Sequence, residues 1–112
     1  MSVEKLFANA SAKTILAPMA GYTDFAFRSI CKNYGVGLTV TEMVSAKALV
    51  MGNTQTLDLL HRMPNDNNCF CQIFGHEPEG MAKCVTYPEL AKFQGIDINM
   101  GCPVKKIVKG GD

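Results

Sequence analysis

Short apolar, β-branched runs alternate with helix-forming stretches along this 112-residue chain, and no other feature limits its fold as tightly. Ile15 to Ala20, Leu38 to Met43, Phe70 to Gly75 and Gly95 to Met100 are each long enough for a strand and too short for a helix with its own core face. After the first run, Thr23 is placed to cap a helix through its hydroxyl and Asp24 suits the positive first turn. Phe27, Ile30, Cys31 and Tyr34 then recur at helical spacing until Gly35. Ser45 opens a second helical stretch from Ala46 to Met51. Asn53 to Met63 reads as a further short helix, because Gly52 argues against one continuous helix. Pro78 marks a third start, with Met81, Cys84 and Val85 as its buried stripe. Pro88 breaks that helix ahead of a short turn through Glu89 to Phe93.

The order strand, helix, strand, helix implies parallel strands joined by right-handed crossovers and covered by helices, which is α/β architecture. A doubly wound sheet and a β/α barrel both fit that order. No G-x-G-x-x-G follows the first strand, so the barrel is the favoured reading. A complete (β/α)8 TIM barrel needs about 250 residues and eight strands. The expectation is therefore that residues 1–112 form the amino-terminal half of such a barrel, ending after its fourth strand. Its two open sheet edges would invite self-association.

Composition excludes several classes. With 47% hydrophobic and 19% charged residues the chain is globular, and its net charge of +1 gives no general pull on a polyanion. The basic cluster Lys105, Lys106 and Lys109, read alone, is a solvated surface loop. No run reaches the roughly 20 apolar residues of a membrane helix, and Met1 to Ala10 lacks the marks of a signal peptide, so a cytoplasmic address is expected. The five cysteines are an odd number without export signals, which predicts reduced thiols. There is no C-x-x-C pair, and His61 and His76 are not spaced as zinc ligands relative to the cysteines; no metal site is expected.

In β/α barrels the reacting groups lie at the carboxyl ends of the strands. Those positions hold Ala17-Pro18-Met19-Ala20-Gly21-Tyr22-Thr23-Asp24 with Phe27-Arg28 beyond, then Thr41-Glu42-Met43-Val44, then Gln72-Ile73-Phe74-Gly75. The last is Asp97-Ile98-Asn99-Met100-Gly101-Cys102-Pro103 with Lys105-Lys106 after it. Alternation sends Gln72 into the barrel if Cys71 and Ile73 face the helices, and a glutamine there needs a polar partner. The same rule puts Ile96, Ile98 and Met100 on the helix side and Asp97 and Asn99 inside. Asn99 therefore reaches the pocket with both donors and acceptors, or else bonds its own loop. Glu42 is a salt-bridged rim residue or a contact for substrate or a neighbouring loop. Arg28 is structural, with Glu42 or Asp24 as candidate partners. Cys31 and Cys84 read as core, and Cys69 and Cys71 suggest no chemistry. Cys102 sits between Gly101 and Pro103 on a stiffened loop, a position that suits a reacting group.

This set of motifs, in this order, resembles the flavin-dependent tRNA-dihydrouridine synthase family from about Ile15 to the last residue. The resemblance implies an FMN-holding barrel followed by a helical tRNA-binding domain, with NADPH as the expected electron donor and tRNA as the partner. It puts the backbone of Pro18, Met19 and Ala20 against the flavin ring and hydrogen-bonds Gln72 to it. It makes Asn99 a substrate contact and Cys102 the general acid in reduction of the uracil 5,6 double bond. Tyr22 or Met43 would line the uracil pocket, and Lys105 and Lys106 would point towards RNA phosphate. The alternatives are another flavin barrel, resembling dihydroorotate dehydrogenases, and a non-catalytic half-barrel module that self-associates.

Overall fold

The structure, a computed structural model, describes residues 2–8, 10 and 12–103. A short helix α1 (Val3–Leu6), which the apolar pattern did not announce, precedes β1 (Ile15–Leu16), α2 (Phe25–Asn33) and β2 (Leu38–Val40). Next come β3 (Val44–Ser45), α3 (Ala46–Val50), α4 (Thr54–Asp58), β4 (Cys69–Phe74), α5 (Pro78–Cys84), α6 (Pro88–Ala91) and β5 (Gly95–Ile98).

All pairings are parallel: β1 with β2, β2 and β3 with β4, and β4 with β5. β2 and β3 lie along one side of β4 and β5 along the other, so the sheet runs β1, then β2 with β3, then β4, then β5, with β1 at one edge. A doubly wound sheet would return a later strand to the far side of β1, and none does so among the described residues. Sequential parallel order with intervening helices is that of part of a TIM barrel.

The expected second strand, Leu38 to Met43, is broken by a bulge. Val40 lies opposite Phe70 and Val44 opposite Ile73, so the stretch between them holds one more residue than its partner on β4. That offset moves Val44 to the helix side, where it is fully buried with Cys69, Cys71, Ile73 and Cys84. It also leaves Glu42 and Met43 out of the ladder, while the Thr41 N–H still donates to the Phe70 carbonyl at 2.9 Å.

Several expectations are corrected. The first strand stops at Leu16, because Ala17 to Ala20 leave the sheet as a loop, and the last stops at Ile98 rather than Met100. Asp24, not Thr23, caps α2: its carboxylate accepts from the Phe27 N–H at 2.8 Å. The Thr23 hydroxyl instead turns back to the Met19 backbone. Asn53 caps α4, which is shorter than Asn53 to Met63, and Ser45 caps α3 as its sequence position suggests. Val85 is exposed at the end of α5, whereas Cys84 is buried and Met81 packs on the core. Cys31 is only half-buried. The helix-side Ile96 of β5 packs on the core, but Ile98 and, beyond the strand, Met100 are exposed because no described element covers them.

Candidate active site

The carboxyl ends of the strands carry the candidate residues, and hydrogen bonds knit them together. The loop after β1 turns at Gly21, whose φ of 82° is costly for any residue with a side chain. Its N–H donates to the Glu42 carboxylate in the β2–β3 bulge. The structure thus gives Glu42 a neighbouring loop as its contact. A carboxylate accepting from a backbone N–H is a charge-assisted bond, and this one ties the Pro18–Gly21 turn to the bulge. Met19, Ala20 and Gly21 are exposed and Pro18 half-buried, so the backbone of this turn is open to a ligand.

Arg28 fixes the same loop from below. Its guanidinium pairs with Asp66 at 2.8 Å and donates to the carbonyls of Thr23 and His61, each at 2.9 Å. Neither Glu42 nor Asp24 is its partner, because the guanidinium points under the sheet, where Asp66 is itself held by the Thr39 hydroxyl.

Gln72 is buried at the centre of β4. Its N–H donates to the Thr41 hydroxyl at 3.0 Å, so the bulge that breaks the ladder supplies a substitute acceptor. In register with Gln72 across the β4–β5 pair is Asp97, and the Gln72 Nε2 donates to Asp97 Oδ2 at 2.6 Å. Gln72 Oε1 accepts from Asn99 Nδ2 at 3.3 Å. Asn99 Oδ1 in turn accepts from the Gly101 N–H at 3.0 Å. Asn99 therefore bonds both its own loop and the glutamine that alternation aims at the same side. By valence, Gln72 keeps one N–H and one lone pair for a ligand.

Beside this chain of amides lies a hollow of about 300 Å³ lined by Met43, Phe74, Ile98, Asn99, Met100 and Cys102 among others. The volume is at the lower end of those that hold small ligands. Cys102 is half-buried in it. Tyr22, in contrast, is exposed and outside that lining. Lys105 and Lys106, together with Lys109, lie outside the described residues.

The remaining thiols differ in kind. Burial pushes Cys71 up to about 12, and burial likewise raises Cys69 and Cys84. They stay protonated behind the sheet, as inert packing groups. All five cysteines are unpaired. Among the described residues no three His, Cys, Asp or Glu side chains gather as a metal site, and no helix is long and apolar enough to cross a membrane.

Sequence reading put Asp97 on the inner side without a partner, named Phe74 only within a strand-end motif, and gave Asp66 no part. Asp97 had a usable signal: a carboxylate on the inner face of a strand must find a donor, and Gln72 is the inward polar group on the neighbouring strand.

The sequence pattern of the family described as "Dihydrouridine synthase (Dus)" matches residues 15–112. The chain belongs to the dihydrouridine synthase family. The likeness begins at β1 and takes in every motif at the strand ends. A probable tRNA-dihydrouridine synthase of Rickettsia bellii (strain RML369-C) is 40% identical over 101 residues, covering 89% of this chain and 31% of the relative. One of Treponema pallidum (strain Nichols) is 44% identical over 96 residues, 85% of this chain and 28% of the relative. A tRNA-dihydrouridine synthase B of Xanthomonas campestris pv. campestris is 42% identical over 95 residues, 85% and 29%. The chain thus spans about 30% of the length of these curated relatives. Membership in the dihydrouridine synthase family sets aside the dihydroorotate dehydrogenase reading.

Proposed function

We propose that this chain is the amino-terminal half of the FMN-binding barrel of a cytoplasmic tRNA-dihydrouridine synthase, which reduces the 5,6 double bond of uridine in tRNA with NADPH as electron donor. The observation that carries this reading is the hollow shared by Asn99 and Cys102, joined through hydrogen bonds to Gln72.

The residues present suit a flavin. A flat ring with polar edges needs close backbone approach and a fixed amide at its rim. The exposed turn from Pro18 to Gly21 offers the first, with open space where a Gly21 side chain would stand. Gln72 offers the second, since its amide is locked and keeps unused valences. Reduced FMN, when bound, supplies a hydride to C6 of the uracil.

This chain's own groups do the rest. Asn99 holds the uracil edge, because an amide carries both donors and acceptors. Cys102, as a thiol, donates its proton to C5 as negative charge develops there, and solvent restores the proton. The Glu42 carboxylate keeps the Pro18–Gly21 turn in place. Lys105 and Lys106 contact tRNA phosphate. The uridine leaves its stack to enter the hollow, which costs a few kcal/mol. Met43, on the hollow's wall, packs against it.

Phosphate sites in such barrels come from the loops after the seventh and eighth strands, so the 112-residue chain alone holds FMN weakly and has no turnover. The test is to splice the chain in place of the matching segment of the Rickettsia bellii relative and assay tRNA from cells lacking other dihydrouridine synthases. Dihydrouridine should form, and Gln72→Ala should raise the FMN dissociation constant about tenfold. No dihydrouridine from a soluble spliced protein overturns the reading.

A second reading rests on the sheet edges: among the described residues β1 pairs only with β2 and β5 only with β4, and Ile15 and Ile98 are 58% and 57% exposed. A non-catalytic module would cover these edges with a second copy. Sedimentation as a stable dimer, with no dihydrouridine from the spliced protein, would favour it.

A further inference from the structure

The bonds around Gln72 have a direction. At one end the Gly101 N–H can only donate, so it fixes the Asn99 oxygen towards the loop and the Asn99 nitrogen towards Gln72. Gln72 must therefore present its oxygen to Asn99 and its nitrogen to Asp97. At the other end the Asp97 carboxylate can only accept. Both ends impose the same order, and every N–H points towards Asp97. Bonds aligned in this way polarise one another, and the one to the carboxylate is the short one at 2.6 Å.

We propose that Asp97 is a positioning residue: its carboxylate sets the direction of the Gln72 and Asn99 amides and, through the Gly101 N–H, holds the loop that carries Cys102. Asp97 acts at a distance from the thiol, through two side chains and one backbone bond. Without an acceptor at 97, only the Gly101 N–H at the far end opposes a turn of the Gln72 amide. Its nitrogen would then meet the Asn99 nitrogen, and the Gly101 bond would be lost with the Asn99 amide's orientation. The Gln72 valences offered to a ring edge would exchange donor for acceptor at the same step. The role in catalysis rests on the dihydrouridine synthase reading; the hold on the Cys102 loop does not.

Two readouts separate these claims. In the 112-residue chain, iodoacetamide labelling read peptide by peptide reports each thiol. Asp97→Leu keeps the bulk and removes the acceptor, and it should speed Cys102 labelling about fivefold while Cys31, half-buried on α2, is unchanged. Asp97→Asn can still accept through its oxygen and should stay within about twofold of the wild type. Unchanged Cys102 labelling in Asp97→Leu overturns the proposal. If Asp97→Leu exposes Cys69, Cys71 and Cys84 as well, the decision passes to a charge exchange. Gln72→Glu sets two carboxylates face to face and should speed Cys102 labelling, and Gln72→Glu with Asp97→Asn should slow it again. A double variant no slower than the single one sinks the idea.

In the spliced barrel, Asp97→Leu should lower kcat for dihydrouridine about tenfold with KM for tRNA within about twofold, and Asp97→Asn should restore most of it. Equal loss in both variants contradicts the acceptor role. If the unsubstituted spliced protein makes no dihydrouridine, the functional reading fails, and the labelling alone decides whether Asp97 holds the loop.

Discussion

The guanidinium of Arg28 lies 2.8 Å from the carboxylate of Asp66, 38 residues later in the chain, and both side chains are closed to solvent. The pair joins α2 to the segment before β4, while the Thr39 hydroxyl brings in β2. A further bond from Arg28 to the Thr23 carbonyl holds the point where the chain passes from the Pro18–Gly21 turn into α2. A structural ion pair thus supports the site from beneath.

Breaking such a pair leaves a buried charge without compensation. Arg28→Met in the 112-residue chain should cost about 3–5 kcal/mol, and Arg28→Met with Asp66→Leu should recover a good part of that. Urea denaturation followed by circular dichroism measures both. A single variant within about 1 kcal/mol of the wild type would show that the pair is not a main support.

This pair also marks where sequence reading stops. The runs at Leu38, Phe70 and Gly95 announce strands because β-branched and aromatic residues suit a pleated surface. That Gln72, Asp97 and Asn99 share the inner side follows from alternation, but that they bond one another needs the β4–β5 register. The bulge at Thr41 to Met43 does not, since it is defined by register against β4, which no single segment contains. Nor does Asp66 as partner of Arg28: periodicity speaks for neighbours on one element, and this contact spans several. The stripe Phe27, Ile30 and Tyr34 on α2 is 41%, 56% and 89% exposed. Helical spacing names a face and cannot say what covers it.

Alkaline pH should destabilise the fold through its buried thiols. Burial raises Cys71 to about 12 from 9.0 and also raises Cys69 and Cys84, so above about pH 9 the unfolded chain releases protons that the folded one keeps. Stability from these groups is complete below that pH and falls as pH rises towards 12. Lys32 acts oppositely, because burial lowers it from 10.5, but it is one group against three. Urea midpoints at pH 8 and 10.5 should therefore drop. Cys71→Ala should lose about 1 kcal/mol at pH 8 and show a smaller drop at high pH. A slope as steep as that of the wild type would contradict this assignment.

Gly95 faces Phe70 across the β4–β5 pair, and a Cβ there would stand 2.8 Å from Phe70 Cζ. Gly95→Ala should cost about 1–3 kcal/mol, and Phe70→Leu in the same chain should relieve part of it. Thermal unfolding of the two variants checks both signs. An additive pair of losses would mean that the ring is not what excludes a side chain at 95.

The proposed function turns on Cys102 giving a proton to a uracil held in the hollow beside Asn99. Cys102→Ala in the spliced barrel, assayed by digestion of tRNA and mass spectrometry, tests it most directly. FMN should stay bound while dihydrouridine forms at least about a hundredfold more slowly. An unchanged rate, with flavin still in place, would contradict the account.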